Sequence, residues 1–230
     1  MSPFVLIPGL NATARVYREA IEALWPHGSV TIANTLAGEG MAGIAAAILR
    51  GAPPRFALGG FSMGGYLAFE MLRQAPDRVT KLALIDTSAR PDTAEASEVR
   101  RRRIEQAKAG KFGMVVEQSF PASVHPRRVE NEALKAMHRE MSLGNGAEAY
   151  VRHQEAIIGR PDSRPTLAAI GVPTVVIVGE ADQIVPLEVA QEMHEGVAGS
   201  RLVVVPDAGH LALLEQPEAV ATALASWAMR

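Results

Sequence analysis

"RFALGGFSMGGYLAFEM", residues 55–71, sets one serine, Ser62, inside a seven-residue core that carries four glycines: Gly59, Gly60, Gly64 and Gly65. The apolar run Phe56–Phe61 ahead of the serine reads as a buried strand. From Met63 to Gln74, Leu67 with Met71 and Ala68 with Leu72 recur at four-residue spacing, the pattern of a helix with one buried face that stops before Pro76. Ser62 therefore stands at a sharp strand-to-helix turn. A residue there is forced into a strained backbone, and a Cβ two positions before or after it would collide with the turn. Gly60 and Gly64 meet that condition as G-x-S-x-G, and Gly65 lets the new helix pack close to a neighbour. The turn lifts the Ser62 hydroxyl above the sheet and aims a helix N-terminus, with its free N–H groups, at any anion formed beside it. A phosphate-binding loop fits less well, because neither G-x-G-x-x-G nor Gly-Lys-Ser/Thr is present.

Working outward, the same kind of apolar, β-branched run recurs: "FVLI" (4–7), "VTIA" (30–33), "KLALID" (81–86), "PTVVIVG" (173–179) and "RLVVVP" (201–206). The last three are apolar at nearly every position, as strands covered on both faces require. Helical stretches are expected between the runs at 14–24, 41–49, 63–74, 187–194 and 217–228. Strands alternating with helices predict an α/β fold with a mainly parallel sheet flanked by helices. One connection is too long for a simple crossover: 87–172 holds no strand-like run. Its four helix-length pieces, separated by Gly or Pro, predict a helical cap over 89–166, inserted into a core formed by 1–88 and 167–230.

A serine is a poor nucleophile alone, so the chemistry calls for a histidine base and a carboxylate to orient it. His27, His125, His138, His153 and His194 lie in polar helices or loops and are expected to be solvated. His210 differs, following the last strand in "DAGHLALLEQPEAV" at the sheet edge that carries Ser62. Asp182, just beyond a strand in "VVIVGEADQIVP", is the favoured carboxylate, with Asp86 at the end of "KLALID" the alternative. Asp207 reads as a turn former and Glu180 as a support for the acid loop. The order Ser62, Asp182, His210 is one of the known triad arrangements.

With these motifs in place the chain resembles the α/β-hydrolase fold superfamily over essentially its whole length. "GFSMGG", "GEAD" and "GHLALLEQPE" look like its nucleophile elbow, acid loop and histidine loop, and "IPGL" like its oxyanion loop. The resemblance implies an oxyanion hole from the Leu10 and Met63 N–H groups, a sheet of about six strands and a cap at the position of the long insertion. It also implies a serine enzyme with no metal or organic cofactor. The leading expectation is hydrolysis of small or medium carboxylic esters through an acyl-enzyme. Thioester, lactone or C–C bond hydrolysis, a lyase whose triad abstracts a proton, and a slow-turnover ligand receptor use the same parts.

Substrate contacts are expected from Asn11, from Ile184, Val185 and Leu211 beside the catalytic loops, and from Phe112, Met114, Met137 and Met141 of the cap. The run "RRRR" at 100–103 could be taken for an anionic-substrate or nucleic-acid patch, but four consecutive positions cannot share one helix face and Glu95, Glu98 and Glu105 surround them, which predicts a solvated cap helix. "RPDSRP" at 160–165 reads as a hinge returning the cap to the core, in which Asp162 and Arg164 either pair or contact substrate.

Composition limits the partners. The 230 residues are 48% hydrophobic with a net charge of −2, enough for one sizeable core but without the basic field that holds nucleic acid or an anionic membrane. Cysteine is absent, which removes disulfides and thiolate chemistry together. With no long apolar run and no basic leader, a cytoplasmic monomer or homodimer acting on a small molecule is expected.

Overall fold

The computed structural model describes residues 2–230. Six strands form one parallel sheet in the order β2-β1-β3-β4-β5-β6: β1 Phe4–Ile7, β2 Val30–Ile32, β3 Phe56–Phe61, β4 Val79–Ile85, β5 Thr174–Gly179 and β6 Arg201–Val205. Alternation along each strand divides the core into two layers. Val5, Ile7, Leu58, Leu82, Leu84, Val176 and Val178 meet α2 (Gly40–Gly51), α3 (Met63–Gln74) and α9 (Leu187–Gly196). Phe4, Leu6, Ala57, Ala83, Ile85, Val175 and Ile177 meet α1 (Arg18–Leu24), the short α10 (Ala212–Glu215) and α11 (Pro217–Ala228). Every residue of β1, β3 and β5 is buried, so these strands need apolar side chains on both faces.

The expectation that "RLVVVP" is covered on both faces is corrected. β6 ends the sheet order with β5 as its neighbour, and Arg201 and Val204 are exposed. A β-branched run satisfies strand formation at an edge as well as at the centre, so composition alone does not separate the two.

Between β4 and β5 lie the four anticipated helices: α4 Ala94–Gln106, α5 Phe112–Ser123, α6 Glu132–Asn145 and α7 Ala147–Ile158. A short α8, Arg164–Leu167, returns the chain to the sheet. Thr93 caps α4 by accepting from Ala96 N–H, and Asn131 caps α6 by accepting from Ala133 and Leu134 N–H. Gly110, at φ 79°, breaks the chain direction between α4 and α5. These helices do not stand apart from the core: Phe120, Leu134 and Met141 pack into the layer that contains α1 and α11. Two histidines of α6 and α7 expected to be solvated are buried. His138 packs beside the Phe120 ring, and His153 bonds the Thr35 carbonyl through Nε2 at 2.8 Å. Among the described residues no helix is long and apolar enough to cross a membrane.

Candidate active site

The sheet order reverses direction between β1 and β3, and a crevice opens there at the carboxyl ends of the strands. Leu10 follows β1 and Ser62 follows β3, so the two flank this switch point. Ser62 has φ 52° and ψ −116°, a conformation that L-residues rarely adopt. Its N–H donates to Ile85 O at 2.9 Å, while its carbonyl accepts from Thr87 Oγ1 at 2.7 Å and Gly65 N–H at 2.9 Å. The end of β4 thus clamps the elbow. A Cβ on Gly60 would lie 2.3 Å from Gly64 O, and one on Gly64 would lie 2.1 Å from Ile7 O, so backbone stands where either side chain would go.

His210 Nε2 lies 2.8 Å from Ser62 Oγ, and His210 Nδ1 lies 2.8 Å from Asp182 Oδ2. The other Asp182 oxygen accepts from Ile184 N–H at 2.8 Å and Val185 N–H at 2.9 Å. An acceptor-only carboxylate on Nδ1 holds that nitrogen as the protonated one and leaves Nε2 as the acceptor for the serine hydroxyl. The imidazole packs beside the Phe61 ring, with centroids 5.5 Å apart. Glu180 accepts from Asp207 N–H at 3.3 Å, which ties the acid loop to the histidine loop, and Asp207 turns the chain at φ 51°.

Asp86, the alternative carboxylate, is fully buried and accepts from Gly179 N–H through Oδ1 at 2.8 Å; its Oδ2 has no hydrogen-bond partner among the described residues. Burial, and then the Asp182 charge, push its carboxyl well above the usual carboxylate range. The imidazole bonds Asp182 instead.

Glu215, to which the sequence reading assigned no role, is buried beneath the histidine loop. Its two oxygens accept from Gly209 N–H at 2.8 Å and His125 N–H at 2.7 Å, with Arg128 Nε 3.7 Å away. Burial raises its carboxyl above the ordinary value, against the two N–H groups and Arg128. Met63 is the first residue of α3, so its N–H has no acceptor within its own helix.

A cavity of about 440 Å³ opens above Ser62. Asn11, Ile184 and Leu211 line it, as do Leu10, Phe61, Tyr66 and Ile157. The Asn11 side-chain oxygen is buried there without a partner among the described residues. Five other residues expected at the substrate lie elsewhere. Phe112 packs with Val115, Val116 and Tyr150 among the inserted helices; Met137 and Met141 pack these helices onto the layer of α1 and α11; Met114 is exposed; and Val185 is buried, with its N–H on Asp182. Large apolar side chains in a small cap are taken up by joining its helices to each other and to the sheet.

The arginine run corrects the expectation of a solvated helix. Arg101 and Arg102 are exposed and pair with Glu98, whereas Arg100 and Arg103 line the cavity together with Ala96 and Val99. These four occupy positions i, i+3, i+4 and i+7 of α4, a single helix face that was legible as spacing.

The alpha/beta hydrolase family model matches residues 4–223, and the chain belongs to that family. A Mycobacterium tuberculosis protein bearing the name non-heme bromoperoxidase BpoC is 28% identical over 176 residues; the match covers 72% of this chain and spans 64% of that relative's length. The pimeloyl-[acyl-carrier protein] methyl ester esterase of Vibrio vulnificus is 24% identical over 243 residues, covering 97% of this chain and 93% of the relative. Among solved structures, a thermophilic esterase from Thermogutta terrifontis superposes with a TM-score of 0.89 at 32% identity, over 99% of this chain and 89% of that one. The enol-lactonase of Burkholderia xenovorans LB400 has a TM-score of 0.87 at 24% identity, over 100% and 92%, a likeness that speaks for the fold alone. Family and relatives together support hydrolase activity.

Proposed function

We propose that this chain is a serine hydrolase that cleaves small or medium carboxylic esters through an acyl-enzyme. The observation that carries the reading is the unbroken chain from Ser62 Oγ through His210 to Asp182, with both links at 2.8 Å, under a cavity of small-molecule size. Ser62 Oγ attacks the ester carbonyl as its proton passes to His210 Nε2. Asp182 holds the Nδ1–H tautomer and stabilises the imidazolium, and the proton then goes to the departing alkoxide. Water, deprotonated by the same imidazole, attacks the acyl-enzyme and releases the acid. The Leu10 and Met63 N–H groups are the donors for the tetrahedral oxyanion, and a backbone-built hole of this kind keeps its donors under side-chain substitution. The names of the Vibrio and Thermogutta relatives, both esterases, favour esters among the acyl substrates this chemistry admits.

The test is hydrolysis of p-nitrophenyl esters from acetate to decanoate by the native chain and by Ser62→Ala. Loss of about 10³-fold or more in turnover in the variant, with a maximum at short chains, is expected. Release that does not depend on Ser62, or no release from any ester, would rule out the esterase reading and turn attention to lyase or receptor chemistry.

A further inference from the structure

The cavity above Ser62 carries positive charge at its cap end. Arg103 lines it, and its guanidinium has no hydrogen bond or ion pair among the described residues. Other arginines of the region are engaged: Arg101 and Arg102 with Glu98, and Arg100 and Arg160 with Asp92, at 2.8 and 2.6 Å. One Asp92 carboxylate faces two guanidiniums, so this group adds a further net positive charge behind the cavity wall.

A second donor stands beside Arg103. Arg100 Nη1 donates to Gln154 Oε1 at 2.8 Å, and because a guanidinium can only donate, the orientation of the Gln154 amide is determined. The amide nitrogen therefore donates to the Tyr150 hydroxyl, at 2.7 Å. The phenol oxygen acts as acceptor in that bond, and its own hydrogen remains free to donate. Tyr150 and Gln154 both line the cavity, and the charges of Arg103 and Arg100 act on the Tyr150 phenol, opposing the rise that burial imposes on it. A half-buried cation without a counter-ion, next to a hydroxyl with a spare proton, forms a pair of donors matched to a planar anion.

We propose that Arg103 and Tyr150 bind a carboxylate, so that the preferred substrate is an ester bearing an anionic group remote from the scissile carbonyl, such as the monoester of a dicarboxylic acid. This rests on the hydrolase reading for turnover but not for binding, and the two are separable. In the Ser62→Ala chain, dissociation constants are measured by calorimetry for the monomethyl esters of succinate, glutarate, adipate and pimelate. Each is set beside the corresponding methyl ester monoamide, which has the same shape without the charge.

At least one half-ester is expected to bind about 10- to 100-fold more tightly than its amide, the range of charge-assisted hydrogen bonds. Adding Arg103→Met should bring that ratio close to one, Arg103→Lys should restore part of it, and Tyr150→Phe should lower it severalfold with little disturbance of the fold. Equal binding of every pair, no measurable binding of any half-ester, or a ratio that survives Arg103→Met would overturn the proposal. Preferential binding without hydrolysis by the native chain would leave the anion site standing and sink the hydrolase reading instead.

Discussion

Ser62 is held at φ 52° by three hydrogen bonds made by its own backbone, one of them to Thr87 of the segment after β4. Strain of this kind costs on the order of 1–3 kcal/mol and persists only where the surroundings over-determine it. Here the glycines remove the steric obstacle and β4 supplies the restraint. His210 depends in a similar way on Glu215, whose carboxylate bonds Gly209 N–H in the histidine loop and His125 N–H in the segment after α5. Glu215→Gln places an amide N–H₂ against one of those backbone donors, leaving it unsatisfied. A loss of about 1–3 kcal/mol is expected, read as a melting temperature lower by roughly 3–10 °C. Turnover of p-nitrophenyl acetate should fall with KM little changed, because the substitution loosens the base and leaves the cavity lining intact. An unchanged melting temperature and turnover would show that the histidine loop does not need this tie.

Among the elements, the two ends of the helical insertion between β4 and β5 are joined by charge. Asp92, ahead of α4, bonds Arg100 within α4 and Arg160 after α7, and the Arg160 guanidinium lies 4.3 Å from the centre of the Tyr66 ring on α3. The hinge expected at "RPDSRP" therefore turns on its first residue, whereas Asp162 and Arg164 form an exposed pair of lesser consequence. Asp92 and Arg160 are almost wholly withdrawn from solvent, and removing one partner strands the others' charge. Asp92→Asn is expected to cost about 3–5 kcal/mol in urea unfolding and to open the connections on either side of the cap to proteolysis. A cost below about 1 kcal/mol would place this network with ordinary surface ion pairs.

For the molecule as a whole, buried imidazoles contribute a loss of stability toward acid pH. Burial beside Phe120 lowers the His138 pKa to about 4, and His153 is lowered in the same sense, first by burial. As pH falls below the unfolded value of about 6.5, the unfolded chain takes up a proton that the native chain refuses. The contribution is complete above that pH and is lost toward pH 4, at roughly 1.4 kcal/mol per unit for His138. Asp86 and Glu215, whose native carboxyls are raised, work in the opposite sense over the acid range, so the net curve mixes both. The difference between the native chain and His138→Leu isolates the imidazole: urea unfolding at pH 7 and pH 5 should show a smaller acid loss in the variant. Parallel curves would mean that His138 takes up its proton over the same pH range in the folded and unfolded chains.

Much of this architecture is legible in one dimension because its causes are local. A G-x-S-x-G turn, apolar runs of strand length, four-residue helical spacing and Gly or Pro breaks are properties of neighbouring residues. On them the limits of β1, β3, α3 and α11 and the place of the four helices between β4 and β5 could be read. The chain order of Ser62, Asp182 and His210, each just past a strand, brings them to one sheet edge once the strands are parallel. What required tertiary structure is the partner of each face. Spacing shows that α4 has two stripes, but only its packing against α7 and α5 decides that Arg100 and Arg103 meet the cavity while Arg101 and Arg102 meet water. The same holds for His138, buried beside Phe120 of α5, for His153, buried against the Thr35 segment, for Glu215 beneath the histidine loop, and for Phe112, Met137 and Met141, which serve packing rather than the cavity. Burial depends on what lies across the gap, and that is supplied by residues far along the chain.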